Sequence, residues 1–286
     1  MNKFLALALA LVAVSSGASA QTPAMNPMPD GSRDMYVGLG LVSAPRYEGA
    51  RDSERHALPV LQVQWSNGVF VSGMRAGIHL GGNPKMEYGP LVELQRRRDD
   101  SGAGGGIGGI GVLGTERYSI VALPQAEQGE NRLAGMEPIS TRLLAGGFLN
   151  YYLTPDWRLT GSLLYGAGNE RDGARLDLGV QRLAMQLGAH HRLSFTAGVS
   201  IANAAYNSAF FGVDTLDSLR SGNPVYRAGS GLKDGHVGAR WNWAFSPSWM
   251  LSSQVQVSRL AGDTRHSPLV ERPTNLTVST AIAYRF

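Results

Sequence analysis

The sequence predicts an all-β fold: a transmembrane antiparallel β-barrel of twelve strands with its N- and C-termini in the periplasm. Three observations predict it. An export signal opens the chain, apolar and polar residues alternate with period two down to a terminal YRF, and the connectors alternate between short and long.

The opening MNKFLALALALVAVSSGASA, residues 1–20, carries Lys3 as its positive charge, an apolar core from Phe4 to Val14 and an A-x-A site at Ala18-Ser19-Ala20. It reads as a secretory signal peptide cut before Gln21, because the apolar run is too short to span a bilayer. A buried N-terminal helix is the bland alternative. Residues 21–34, QTPAMNPMPDGSRD, read as a flexible periplasmic lead, and residues 35–286 as a single barrel domain.

Losing Lys3 with the signal lowers the formal charge from +4 to +3, too weak a field to attract nucleic acid. Cysteine is absent, which excludes disulfides, thiolate catalysis and most structural zinc sites. No later stretch is apolar for eighteen residues, and 37 glycines argue against long helices, so the 43% hydrophobic content points to strands.

The strands begin with MYVGLGLVS, where Val37, Leu39 and Leu41 share a face opposite Tyr36, Gly38 and Gly40. LPVLQVQW sets Leu61, Val63 and Trp65 against Gln62 and Gln64, and VFVSGMRAGI runs back after the SNG turn at 66–68. PLVELQRRR sets Val92 and Leu94 against Glu93, Gln95 and Arg97. From Ser140 come STRLLAGGFLNYYL, WRLTGSLLYG and ARLDLGVQRLAMQLG; in the last, the alternation slips near Arg182, which a bulge repairs. HRLSFTAGVSIA, KDGHVGARWNWAFS, WMLSSQVQVSRL and NLTVSTAIAYRF complete eleven strands. An odd number would put the chain ends on opposite sides, so the glycine-rich 103–115 is expected to be a twelfth, with a periplasmic turn near 99–104 before it and loop at 119–137.

Short connectors at 66–68, 154–156, 188–191 and 246–248 read as periplasmic turns; RYEGARDSERH, residues 203–232 and AGDTRHSPLVERPTN read as outer loops. YLTPDWRLTGS echoes AFSPSWMLSSQ, each with Pro in the turn and Trp opening the next strand, where an indole sits well at a bilayer interface. A secreted sandwich shares the periodicity. The export signal, the terminal Phe286, the connector order and the interfacial aromatics favour closure in lipid, where an unpaired edge is not tolerated.

APRYEGARDSERHALP at 44–59, AYNSAFFGVD at 205–214, VYRAGSGLKDGHVG at 225–238, SRLAGDTRHSPLVE at 258–271 and the final YRF resemble the MipA/OmpV family over essentially the whole mature chain. The resemblance implies a barrel in the Gram-negative outer membrane, in contact with lipid and lipopolysaccharide. It further implies a scaffold joining a lytic transglycosylase to a penicillin-binding protein in peptidoglycan biosynthesis, or a porin-like channel for small polar solutes, or an adhesion protein. It brings no catalytic, cofactor-binding or metal residues, and so no enzyme activity and no cofactor. Ala50-Arg51-Asp52 departs from the small residue and acidic pair usual after YEG, which weakens any claim of shared loop ligand chemistry.

Asp263, His266 and Ser267 place acid, base and hydroxyl in one loop, but without a G-x-S-x-G context, so a folded loop is the stronger reading than a hydrolase. His190 and His191 lack a third ligand at useful spacing and read as a solvated turn. Glu48, Asp52 and Glu54 among Arg46, Arg51 and Arg55 read as a loop with internal ion pairs, with lipopolysaccharide or a solute as the other reading. Glu93, Gln95, Arg97, Asp177, Arg240, Asn242, Gln254, Gln256 and Arg285 fall opposite apolar faces and are expected to line the lumen, either as a selective aqueous path or as a paired network that plugs it. Tyr206, Phe210 and Phe211 are candidates for a lid or an adhesive loop.

Overall fold

The computed structural model describes residues 33–80, 85–103, 107–110 and 131–286. The signal segment and all but the last two residues of the lead lie outside the described residues. In chain order the strands are β1 (Arg33–Pro45), β2 (Ser53–Trp65), β3 (Val69–Ser72), β4 (Arg75–Ile78), β5 (Met86–Gln95), β6 (Arg98–Asp99) and β7 (Gly102–Ala103). They continue as β8 (Arg142–Tyr152), β9 (Trp157–Ala167), β10 (Gly173–Gln186), β11 (His191–Ala202), β12 (Gly231–Ala244), β13 (Trp249–Leu260) and β14 (Thr274–Arg285). Helices α1 (Ala204–Phe211) and α2 (Thr215–Ser221) sit between β11 and β12. All strands except the miniature β6–β7 hairpin form one closed antiparallel barrel of twelve, sealed where β1 pairs with β14 from Tyr36↔Arg285 to Ser43↔Val278. Closure gives every wall strand two neighbours, as hydrocarbon demands.

The alternation points apolar residues outward. Leu39 and Leu41 are 67% and 68% exposed, while Tyr36 and Val42 on the same strand are buried inside. Val237, Val255, Val278 and Ile282 continue the lipid face. All five tryptophans lie at the end of the barrel with the short turns: Trp65 ends β2, Trp157 opens β9, Trp241 and Trp243 end β12, and Trp249 opens β13. His191, Trp241 and Trp243 stack at 5.7 and 6.2 Å, and Trp249, Tyr284 and Phe286 meet edge to face at 5.1 and 4.8 Å. This is the aromatic belt of one interface. The two echoed turns share one mechanism. Thr154 Oγ1 accepts from Trp157 N at 3.1 Å, and Ser246 Oγ accepts from Trp249 N at 3.0 Å, so each hydroxyl closes the turn that launches its tryptophan.

Two strand expectations change. VFVSGMRAGI is two strands, β3 and β4, joined at Gly73-Met74, with Gly73 at φ +56°. The expected strand at 103–115 is not a stave, because β5 pairs directly with β8. Its residues 107–110 lie against β2, where Leu61 N donates to Gly108 O at 2.9 Å and Gly108 N to Pro59 O at 3.0 Å; residues 104–106 and 111–115 lie outside the described residues. The count stays at twelve because the extra hairpin replaces the lost stave. The hairpin also reverses β5, so residues 99–103 of the turn expected at 99–104 belong to the long-loop end and are not periplasmic, and residue 104 lies outside the described residues; Ala103 N donates there to Arg46 O at 2.7 Å. Of the loop expected at 119–137, residues 119–130 lie outside the described residues. The expected bulge near Arg182 is present as a register shift between Arg182 and Met185.

The physical cause is hairpin length. β3 and β4 have four residues each against thirteen in β2, so upper β2 loses its neighbour. Pro59 stands on β2 facing this gap, where a missing N–H breaks no ladder. Gly108 supplies part of the missing edge.

At the seam, a Cβ on Gly38 would lie 2.0 Å from Ile282 O. Gly38→Val is therefore expected to destabilise the barrel by roughly 2–3 kcal/mol. Urea unfolding from lipid vesicles, followed by tryptophan fluorescence, measures this; an unchanged midpoint would show that the seam has slack.

Candidate functional site in the barrel lumen

The inward positions of β4, β5, β10, β11 and β12 carry charge, and their side chains join across the lumen. Arg75 Nε donates to Glu93 Oε2 at 2.7 Å, and Arg175 Nη2 reaches both Glu93 oxygens at 3.1 and 3.2 Å. Arg175 Nε then binds Asp177 Oδ2 at 2.9 Å, and Ser200 Oγ bridges Asp177 at 2.9 Å and Asp234 at 3.3 Å. Lys233 Nζ ends the chain between Asp234 at 2.8 Å and Glu48 of the β1–β2 loop at 2.7 Å. His236 Nδ1 lies 3.2 Å from Asp234. From β4 to β12 is six steps round a ring of twelve, so the chain links opposite walls. Lys233 is 1% exposed, and Glu93 and Arg75 are 7% and 6% exposed. Charge alternates along Arg75–Glu93–Arg175–Asp177 and along Asp234–Lys233–Glu48, with the Ser200 hydroxyl between the two runs, which keeps these groups compatible with burial.

Smaller pairs brace the wall nearer the short turns. Arg158 Nε donates to Gln181 Oε1 at 2.8 Å, and Arg240 Nε and Nη2 both donate to Gln254 Oε1 at 3.0 and 2.9 Å. The lumen is not uniformly polar, contrary to the simplest reading of the alternation. Phe70, Leu91, Leu144, Phe148 and Leu164 form one internal apolar cluster. Ile110 forms a second with Tyr36, Leu58 and Val60, its N–H bonded to Gln62 Oε1 at 3.2 Å.

The long loop folds over the mouth. Asn203 caps α1, its Oδ1 accepting from Tyr206 N at 2.8 Å and from Ala174 N of β10 at 2.9 Å. Tyr206 and Phe211 are buried, and Tyr206 stacks on Phe210 with centroids 4.6 Å apart. The last-turn carbonyls, which a helix leaves unpaired, are taken by other loops. Arg98 Nη1 donates to Phe210 O at 2.5 Å and Ser267 Oγ to Phe211 O at 2.6 Å. Burial pulls the Arg98 guanidinium down to about 10, leaving it charged at neutral pH, and pushes the Tyr47 phenol well up. The expected lid is thus a bolted helix.

Cavities lie on either side of this network. One of 220 Å³ lies beneath the lid and has Glu93 and Arg175 in its lining; one of 80 Å³ has Arg75, Asp177 and His236 in its lining. The Arg75–Glu93–Arg175–Asp177 chain runs between them.

Glu93, Gln95, Asp177, Arg240, Asn242, Gln254 and Gln256 line the lumen as expected. Arg97 is half exposed and pairs with Asp99 at 3.1 Å, and Arg285 pairs with Asp34 at 2.6 Å at the short-turn rim. Asp263, His266 and Ser267 are engaged separately: Asp263 Oδ2 accepts from Gly229 N at 2.8 Å, His266 Nε2 from Arg265 Nε at 3.1 Å, and Ser267 is spent on Phe211. His191 stacks in the aromatic belt. The mixed-charge loop pairs internally, Arg46 with Glu54 at 3.5 Å and His56 with Glu54 at 3.1 Å, while Glu48 turns inward to Lys233. Arg75, Arg175, Lys233 and Asp234 escaped sequence reasoning. Arg175 shares its parity with Asp177 and was legible; Lys233 and Asp234 both face inward because the register shifts opposite Ser200/Ile201.

Glu93→Ala removes the carboxylate that Arg75 and Arg175 share and is expected to cost about 3–5 kcal/mol. A double-mutant cycle with Arg75→Ala in urea should recover part of this; simple additivity would mean the pair is not coupled. Ser267→Ala frees the Phe211 carbonyl, and amides at the end of α1 should exchange with deuterium about tenfold faster. Unchanged exchange would mean that Arg98 alone holds the lid.

Residues 37–286 match the family described as MltA-interacting protein MipA. Outer membrane protein Omp26La of Vibrio anguillarum is 28% identical over 102 residues, 36% of this chain and 38% of that protein. Outer membrane protein OmpV of Vibrio cholerae is 27% identical over 90 residues, 32% of this chain and 34% of that protein. The chain therefore matches little more than a third of each relative's length. Among solved structures, an outer membrane channel from Pseudomonas putida F1 superposes with a TM-score of 0.42 at 11% identity, covering 96% of this chain and all of that one. A bacterial polysaccharide outer membrane secretin gives 0.45 at 9% identity, covering 89% and 98%. With the family match running from the first barrel strand to Phe286, the chain belongs to the MltA-interacting protein MipA family of outer-membrane β-barrels.

Proposed function

We propose that this barrel is a non-enzymatic anchoring protein that holds murein-hydrolysing and murein-synthesising enzymes at the outer membrane. The observation that carries this reading is the network of charged side chains from Arg75 to Glu48, joined between Asp177 and Asp234 by the Ser200 hydroxyl, which braces opposite walls beneath a bolted lid. A braced, occluded cylinder suits a rigid platform better than an open pore. The partner class rests on the family's description, which names interaction with MltA, and on the family resemblance, which implies a lytic transglycosylase and a penicillin-binding protein. The separate engagement of Asp263, His266 and Ser267 supports the absence of catalysis.

With 99–103 at the long-loop end, the periplasmic surface that the described residues offer a partner includes the short turns and the Asp34–Arg285 rim, and the segment before Arg33 is proposed to add to it. A second reading, a gated channel for small polar solutes, is favoured by the two cavities on either side of the ion-pair chain.

The two readings separate experimentally. In planar bilayers the purified native chain is expected to be silent across a range of voltages; steady unitary currents would favour the channel. In periplasmic extract the immobilised barrel should capture a lytic transglycosylase, and deleting residues 21–32 should weaken capture. A silent barrel that captures neither transglycosylase nor penicillin-binding protein would remove the anchoring reading.

A further inference from the structure

We propose that the outer wall beside the barrel seam, from β2 to β13, is a binding site for a phosphorylated, multiply acylated glycolipid of the outer leaflet. The inference goes beyond the general lipid contact of such a wall and does not depend on anchoring or conduction.

Two wall arginines carry the argument. Arg55 on β2 alternates with the inward Glu54 and His56 and stands beside Ser43, which shares the lipid-facing parity of Leu39 and Leu41 on β1. Arg259 on β13 shares the parity of the exposed Val255 and Val257 and stands beside Thr274 of β14. Both side chains therefore point toward lipid, each within two residues of the mouth end of its strand. Only β1 and β14 separate the two strands. Two more arginines join them from the loops above. Glu271 N and Arg272 N both donate to Gly49 O at 2.9 Å, and Arg51 N donates to Glu271 Oε2 at 3.0 Å. These bonds fasten the β1–β2 loop to the β13–β14 loop and hold Arg51 and Arg272 near one another over the seam.

All four arginines are exposed. Among the described residues none of their guanidinium groups has a hydrogen-bond or ion-pair partner. The neighbouring carboxylates are engaged elsewhere: Asp52 and Glu54 by Arg46, Glu48 by Lys233, and Glu271 by the Arg51 N–H. The surroundings name the occupant. Below the arginines Leu39, Leu41, Val255, Leu276 and Val278 offer an apolar face for acyl chains. Arginine grips phosphate through paired N–H donors, and at the headgroup level of a membrane phosphate is the counter-ion within reach. The five tryptophans lie at the opposite interface, so the two leaflets meet different chemistry, indole rings at one and guanidinium groups at the other. Several cations over a broad apolar face fit a lipid with more than one phosphate and several acyl chains better than a phospholipid with one phosphate.

The test is native mass spectrometry of the full chain released from detergent and titrated with bisphosphorylated lipid A, its dephosphorylated form and phosphatidylglycerol. Lipid A is expected to be held at least about tenfold more tightly than either of the others. Arg55→Gln combined with Arg259→Gln should weaken it about 10–100-fold. Arg171→Gln combined with Arg220→Gln removes two exposed arginines elsewhere at the mouth and should leave retention unchanged. Where the wall variant fails to fold, Arg51→Gln combined with Arg272→Gln reads the same site from the loops and is expected to weaken lipid A likewise. Equal retention of the dephosphorylated form would overturn phosphate recognition, and equal retention of phosphatidylglycerol would overturn the assignment to a glycolipid. An equal loss in the Arg171 and Arg220 variant, or no loss in the folded wall or loop variant, would reduce the attraction to diffuse charge and overturn the site. Bilayer conductance and enzyme capture are separate readouts, so loss of this site leaves the anchoring proposal intact.

Discussion

In hydrocarbon no water can satisfy a backbone N–H or C=O, and the rest of this structure follows from that constraint. It forces β1 to meet β14, and it accounts for the absence of a side chain on Gly38, where Ile282 O closes in. It also governs the irregular sector. The four-residue hairpin of β3 and β4 leaves upper β2 without a neighbour. Pro59 needs no donor partner there, and Gly108 brings a strand-like edge to the carbonyl of Pro59 and the N–H of Leu61. A sheet in water can leave such an edge to solvent; here it is met by proline and by an inserted segment.

Closure creates a second problem inside. Side chains that point away from lipid enter a narrow lumen, not bulk water, and must find partners among themselves. The chain solves this differently on its two halves. From β1 to β9 much of the inner surface is apolar, with Phe70, Leu91, Leu144, Phe148 and Leu164 packed as in a soluble core. From β10 to β14 it is polar, with Asp177, Ser200, Asp234, Arg240, Gln254 and Asn275. Charged groups cross from the first half to the second at three places: Arg75 and Glu93 through Arg175, Arg158 through Gln181, and Glu48 through Lys233. Such a pair adds little net stability over an apolar filling, but it admits only arrangements in which every charge has its counterpart. The two halves are thereby held in one relative position.

Most of this wall was legible in the sequence, because lipid on one face imposes a strict period of two. Leu39 and Leu41 outside with Tyr36 inside, Val255 outside with Gln254 inside, and the slip at Arg182 are all readable without coordinates. The misreading at 69–78 has a physical signature that alternation also carries. Apolar residues sit at odd positions in Val69 and Val71 and at even positions in Ala76 and Ile78, and that change of parity marks the two-residue turn at Gly73-Met74. The site was only half legible. Parity places Glu93 and Asp177 inside but cannot say that Arg175 joins them, since they lie on strands three steps apart in the ring. The bolts on the lid were invisible for the same reason: Ser267 and Phe211 are 56 residues apart, and no local pattern brings a hydroxyl to that carbonyl.

The two ends of the cylinder are built on different principles, and the difference bears on function. At the short-turn end the chain spends its tryptophans and its hydroxyl-closed turns on holding the barrel at one interface, leaving compact loops such as 154–156 and 246–248. At the other end it invests in long-range contacts. Tyr47 bonds Leu269 O across 222 residues, Gly49 bonds Asn275 across 226, and Lys233 bonds Glu48 across 185. All three tie the β1–β2 loop to the β12–β14 side of the mouth, and together with Arg98 and Ser267 they make the mouth one packed unit with buried Leu133, Val213 and Leu269 at its centre. Contacts of that span cost chain entropy to form, so their concentration at one end is not a by-product of closing the barrel. A wall that only had to cross the membrane would need none of them. The structure therefore separates placement at the interface, done by the belt, from the cross-linking of the mouth, done by the loops, and any role that ignores the mouth leaves the most heavily cross-linked part of the molecule without a purpose.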